Sequence, residues 1–184
     1  QTVFVRDTTA PTFTVPDNID VKCDDAYLQS FPAVRVSDNC GVDSELTLTT
    51  NSQITEGDCQ DSYVLERTYT YTDASGNSAS KSYEVFVYDD VKPEWTAVPA
   101  DVTVECDAVP ERPFTDAYEF SDNCSPEASM TLTYVGREEL ARDNEATYKL
   151  QDNFVLSDDC GNEITHSYQI TVVDTVDPYF TNKD

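Results

Sequence analysis

The chain repeats itself, and that fact restricts its fold more than any other. Val3-Phe4-Val5-Arg6-Asp7-Thr8-Thr9-Ala10-Pro11-Thr12-Phe13 is matched by Val85-Phe86-Val87-Tyr88-Asp89-Asp90-Val91-Lys92-Pro93-Glu94-Trp95, and again by the stretch from Ile170 to Phe180. Each copy reads as a strand, an acidic junction, a Pro and an aromatic. From Pro11 to Pro93 and from Pro93 to Pro178 the spacing is 82 and 85 residues. Other landmarks keep step. Val15-Pro16 matches Val98-Pro99, and Cys23-Asp24 matches Cys106-Asp107. Ser37-Asp38-Asn39-Cys40 matches Ser121-Asp122-Asn123-Cys124, and Asp73-Ala74-Ser75-Gly76-Asn77 matches Asp158-Asp159-Cys160-Gly161-Asn162. An ordered set of landmarks at one period marks a tandem array of like modules.

The period divides the chain into residues 8–90 and 91–175 as two whole modules. Residues 1–7 are expected to be the last strand of a preceding repeat, and 176–184 the start of a following one.

Inside a module, short alternating runs recur between Gly, Asn and Asp. They are Ile19 to Val21, Val34 to Val36, Leu46 to Thr50, Tyr63 to Thr72 and Ser82 to Val87. The second copy has Val102 to Val104, Met130 to Tyr134, Tyr148 to Val155 and Ser167 to Val173. Period-two runs separated by turn formers predict strands. About seven short strands in some 80 residues predict an all-β chain of two tandem Ig-like β-sandwich modules. Arg137 to Asn144 is the best candidate for a helical turn. Trp95, matching Phe13 and Phe180, is expected to plug the module junction.

Composition then narrows the function. Asp and Glu number 36 against 11 Lys and Arg, a formal charge of −25. Such a surface repels nucleic acid and anionic lipid and attracts divalent cations. With 11 Tyr and 8 Phe the chain is too rich in β-forming aromatics for a disordered acidic tail. No stretch approaches the roughly 20 apolar residues of a membrane-spanning helix. Six Cys without a Cys-x-x-Cys pair, beside the single His166, point to disulfides and an oxidising compartment in preference to zinc. Nothing points to catalysis. His166 lies in an alternating run, the five Gly form no phosphate loop, and carboxylate pairs in so acidic a chain specify nothing.

Asp-Thr-Thr-Ala-Pro (7–11), Val-Pro-Ala-Asp-Val-Thr-Val-Glu-Cys-Asp (98–107), Ser-Asp-Asn-Cys and Asp-x-Cys-Gly-Asn resemble the hyalin-like (HYR-like) Ig repeats of giant surface adhesins of Bacteroidetes. Those include gliding-motility adhesins exported by type IX secretion. The resemblance covers both modules. It implies an Ig-like sandwich at the extracellular bacterial surface, acting as a stiff adhesive stalk or filament. Its partners would be neighbouring repeats and an unidentified surface or glycan ligand. A carbohydrate- or protein-binding module, or an accessory domain of a secreted enzyme, is the alternative. The family pattern has four Cys per module, and each module here has three.

For the Cys, two arrangements stay open. One pairs Cys23 with Cys40, Cys106 with Cys124, and Cys59 with Cys160. The other pairs Cys23 with Cys59 and Cys124 with Cys160, leaving Cys40 and Cys106 over. In an Ig-like module the incoming linker and two loops meet at one end, so calcium ligands are expected there. In the first module they are Asp7, Asp38, Asn39, Asp73 and Asn77. In the second they are Asp89, Asp90, Asp122, Asn123, Asp158, Asp159 and Asn162. Calcium takes six to eight oxygens in a flexible cage, which converging loops can supply. The same Asp and Asn are also turn formers in their own right.

Overall fold

A computed structural model describes residues 1–40, 45–111 and 113–177. The chain forms two compact units, Gln1–Asp90 and Val91–Asp184.

In the first unit, β4 (Thr47–Glu56), β5 (Tyr63–Thr72) and β6 (Ser78–Tyr88) form an antiparallel meander, and β2 (Ile19–Lys22) joins it alongside β6. The β2–β6 pair is parallel, with Ile19 opposite Val85 and Lys22 opposite Tyr88. Two short strands, β1 (Thr12–Phe13) and β3 (Val36–Ser37), make the second sheet. Alternation puts Leu65, Arg67, Tyr69 and Tyr71 of β5 and Tyr83, Val85 and Val87 of β6 inward. They pack with Phe13 and Val21 into one core. The outer face carries hydroxyl pairs, Thr68 with Ser82, Thr70 with Ser80 and Thr72 with Ser78, at 2.8–3.0 Å.

The second unit repeats this plan. Here β10 (Thr131–Asn144), β11 (Thr147–Ser157) and β12 (Glu163–Val173) form the meander. The strand β8 (Val102–Glu105) lies parallel to the end of β12. The small sheet is β7 (Glu94–Ala97) with β9 (Glu119–Ser121). Tyr118, Phe154, Tyr168, Ile170 and Val172 are the core. Among the described residues there are also two single 3-10 turns, Ala26–Gln29 and Glu127–Ser129. The chain is therefore all-β, two tandem β-sandwich modules of Ig-like type.

Three expectations change. Arg137 to Asn144 is no helical turn but the outer part of β10, with register shifts after Tyr134, Glu139 and Arg142. Cross-strand bonds override the local pattern. Arg137 bonds Asp152, Gln151 Nε2 donates to Glu138 Oε1 at 3.1 Å, and Arg142 stacks over Tyr148. Residues 1–7 form no strand, and Val3, Phe4 and Val5 are exposed, because they have no ladder partner. Trp95 sits on β7 against Tyr118, Phe120 and His166, so its ring belongs to its own module's core. Phe13 does the same against Tyr71, at 4.9 Å between ring centres. Pro178, Tyr179 and Phe180 lie outside the described residues.

Candidate metal centre

The β5–β6 hairpin fixes one end of the first module. Gly76 takes φ +89°, a left-handed conformation that favours glycine, and its N–H donates to Asp73 O at 3.2 Å. Asn77 then clamps the Asp73 carboxylate twice, from its backbone N–H to Oδ1 and from Nδ2 to Oδ2, both at 2.8 Å. Asn77 Nδ2 also reaches Asp7 O at 3.3 Å, which ties the incoming segment to the hairpin. Asp38 arrives on the loop after β3, in an Asx turn in which Cys40 N–H donates to Oδ2 at 3.1 Å.

The result is a convergence of Asp7, Asp38 and Asp73, one carboxylate oxygen from each within 4.8 Å of the others. Asp38 Oδ1 is buried and accepts no hydrogen bond. A cavity of about 30 Å³, lined by these three with Glu45 and Cys40, sits among them. Asp73 resists protonation. Desolvation works against its charge, but the donors of Asn77, Ser75 and Gly76 outweigh it and hold the carboxyl below its ordinary value. The Cys40 thiol is pushed up by desolvation and by the charges of Asp7, Asp38 and Asp73.

The second module builds the same hairpin. Asn162 holds Asp158 through N–H to Oδ1 and Nδ2 to Oδ2, both at 2.8 Å, with Gly161 at φ +85°. Asp158 is buried. Asp122 Oδ1 accepts the N–H groups of Cys124 and Ser125 at 2.9 and 2.8 Å, while its Oδ2 is buried and accepts none. Asp122 and Asp158 bring carboxylate oxygens within 4.8 Å of each other.

Several of the remaining expected ligands make bonds of their own. Asn39 and Asn123 turn Nδ2 to the sulfur of the following Cys at 2.9 Å. Asn77 and Asn162 each orient an Asp through Nδ2. Asp90 pairs with Lys22 at 2.6 Å on the surface. Asp89 follows β6 and is half-buried, and Asp159 is exposed in its hairpin turn. Glu45 was not expected at the cavity, since no repeat of spacing marks it.

Cys23, Cys59, Cys124 and Cys160 are disulfide-bonded, and Cys40 and Cys106 are exposed free thiols. The expected bonds of Cys23 to Cys40 and Cys106 to Cys124 therefore do not form, and Cys40 and Cys106 leave the disulfide set. Strand geometry explains the first. Cys23 N–H bonds Tyr88 O, at the far end of β6 from the hairpin. Cys40 sits at the hairpin end, beside Asp73. The ten-residue β5 separates these ends. At about 3.3 Å per residue it spans roughly 30 Å, while a disulfide needs Cα atoms within about 7 Å. In the second module Cys106 likewise follows Glu105, opposite Val173 at the end of β12, whereas Cys124 adjoins Asp122 at the hairpin end.

His166 is a strand residue. It lies on β12 with Nδ1 3.0 Å from Tyr118 Oη and packs against Trp95. Burial pushes its imidazole down, opposed by the charge of Asp101.

Paired sheets, a clamped hairpin with converging carboxylates, and disulfides together define an Ig-like β-sandwich repeat module. Residues 11–89 match the family described as "HYR-like domain with 4 cysteines". The first module has three cysteines, with Ser75 where the second has Cys160. No curated protein matches the chain. Among solved structures, Drosophila N-cadherin EC1-4 is 14% identical with a TM-score of 0.41, over 89% of this chain and 49% of that one. The chain thus spans about half the length of that fragment. Human protocadherin-24 EC1-2 is 13% identical with a TM-score of 0.39, over 92% of this chain and 100% of that one. Human mucin-like protocadherin EC1-2 is 13% identical with a TM-score of 0.36, over 91% and 100%.

Proposed function

We propose that the chain is a segment of adhesive repeats from an extracellular protein, built to carry tension as a stiff stalk or filament. The setting implied by the sequence resemblance is a bacterial surface, in adhesion or gliding motility. Its partners there are neighbouring repeats and a surface or glycan ligand. The observation that carries this reading is the parallel pairing of β2 with β6 and of β8 with β12. In each module the strand that starts the large sheet lies beside the strand that ends it. Pulling the two chain ends apart then loads all the bonds of that ladder together, in shear, whereas an antiparallel hairpin opens one bond at a time. Disulfides at four of the six Cys suit an oxidising exterior. Among the described residues no helix is long and apolar enough to cross a membrane.

Each hairpin end is proposed to hold calcium. In the first module Asp7, Asp38 and Asp73 supply carboxylate oxygens, and in the second Asp122 and Asp158. The donor set fits a hard cation: oxygens only, with a buried carboxylate oxygen in each module that no protein donor satisfies. Bound there, the ion would relieve the repulsion among the carboxylates and fix the incoming segment to the hairpin.

The test of tension-carrying is mechanical. When the chain is pulled by its termini, ladders loaded in shear rupture abruptly. Val21→Pro, which sets a ring in the middle of β2, should lower one rupture force. Smooth extension at low force, or no effect of Val21→Pro, contradicts the reading.

A further inference from the structure

The outer edge of the first module differs from that of the second in a way that points to a partner. In the second module the edge strand β10 is broken by three register shifts and carries Arg137, Glu138, Glu139, Arg142 and Asp143. Bulges and charges are the usual means of keeping an edge from pairing with another chain. The first module has no such bulge, and the only charge on its edge strand is the terminal Glu56. Its edge strand β4 pairs with β5 for ten residues without a register shift. From Leu46 to Thr55 it has no charged residue and no Pro, in a chain of net charge −25. Every residue of β4 is exposed. Leu48 and Ile54, opposite Tyr71 and Leu65, share the core-side face of the sheet but reach beyond what the small β1–β3 sheet covers. They are 47% and 59% exposed.

The strand is also nearly its own mirror in sequence. Around Asn51 the order Thr47-Leu48-Thr49-Thr50-Asn51-Ser52-Gln53-Ile54-Thr55 reads almost the same in both directions. An antiparallel pair of two such strands about a two-fold axis at Asn51 sets Leu48 opposite Ile54 of the second copy, twice. Thr47 meets Thr55, and Thr50 meets Ser52. Isologous contact has this reciprocal form, and the two exposed large apolar residues of β4 are the ones it brings together. Charge permits it: Glu56 faces Leu46 and no carboxylate faces another, so two strongly acidic chains can approach at this strand. We propose that the β4 edge is a homophilic interface, at which a second copy of this chain adds its own β4 antiparallel and in that register.

One strand pair covers less area than a standard protein interface, so the dimer is expected to be weak, with a Kd on the order of 0.1 mM. Sedimentation equilibrium across a concentration series up to about 1 mM measures it. The Cys40→Ser/Cys106→Ser background removes thiol crosslinks. A reversible dimer is expected, weakened about tenfold or more by Ile54→Lys. Thr49 and Gln53 face each other across the axis and test the register. Thr49→Lys with Gln53→Glu should tighten the dimer, and Thr49→Glu with Gln53→Glu should weaken it. Should Ile54→Lys fail to fold by circular dichroism, that charge comparison still decides. A chain monomeric throughout the series overturns the proposal, as does a dimer indifferent to Ile54→Lys or to the sign of the paired charges.

Discussion

At the scale of the residue, the two cores place opposite charges at one position. Arg67 and Asp152 stand 85 residues apart at matching points of β5 and β11, and both are almost wholly buried. Arg67 donates from its two Nη atoms to the carbonyls of Ser30 and Leu28 and lies over the rings of Tyr27 and Phe31, while its buried Nε has no hydrogen-bond partner among the described residues. Asp152 takes two bonds from Arg137, at 2.7 and 2.8 Å, and one each from Tyr134 and Tyr168. Desolvation opposes its charge, yet those donors hold the carboxyl below its ordinary value. Asp152→Ala should cost the second module about 3–5 kcal/mol in chemical denaturation, because it leaves Arg137 without its counter-charge. Asp152→Leu with Arg137→Met should recover most of that. His166 gives a pH test. Its folded pKa lies below the unfolded value near 6.5, so the unfolded chain binds the proton more readily. Its contribution is intact above that pH and is lost as pH falls below it. Replacing His166 with Gln should remove this part of the slope in a melting series between about pH 7 and 5. Alternation alone places both charged residues inward, between Leu65 and Tyr69 and between Leu150 and Phe154. What no spacing discloses is the partner, since Arg137 comes opposite Asp152 only after a bulge at Val135.

At the scale of the element, β5, β2 and β8 were legible in the sequence, β4 and β10 only in their first parts, and β1, β7 and β9 not at all. Tyr63 to Thr72 alternates cleanly because one face is core and the other water, and β5 has those bounds. The strands β1, β7 and β9 have two to four residues, too few for a period to appear. β4 extends past Thr50 to Glu56 without alternation because neither face is covered. Side chains also lengthen the parallel ladders. Asn18 Oδ1 accepts Glu84 N–H at 2.8 Å, and Asp101 Oδ1 accepts Gln169 N–H at 2.7 Å. Asn18→Ala should lower first-module stability by about 1 kcal/mol, measured by urea denaturation. Gly57 marks a tighter constraint in the β4–β5 connection. A Cβ there would lie 2.3 Å from Ser62 O, a backbone atom, where Gly57 N–H also donates at 2.9 Å. Gly57→Ala therefore displaces the turn beside Cys59 and should cost more than Asn18→Ala, about 2 kcal/mol or above in the same assay.

At the scale of the whole molecule, the repeat predicted two modules of one design, and landmarks in step predicted one turn chemistry for both. The Asp-x-x-Gly-Asn turns became twin hairpins, each clamping its first Asp through its Asn. The same spacing marks all the Asp and Asn residues alike as ligands, and it does not disclose that Asn77 and Asn162 also orient a carboxylate through Nδ2. Nor does it reveal which end of a sandwich a cysteine occupies, which is why Cys23 with Cys40 looked natural along the chain and is excluded by a strand's length. The carboxylates at the hairpin ends are proposed to be a cation site and not merely an acidic surface. Thermal melting with calcium, with magnesium and with chelator tests it most directly, beside the variant Asp73→Asn. At a hundredfold excess over Kd, calcium should raise the first-module midpoint by roughly 10 °C, with a smaller effect of magnesium and a loss of that shift in Asp73→Asn. A midpoint unchanged between calcium and chelator, or a calcium shift that Asp73→Asn leaves intact, would contradict it.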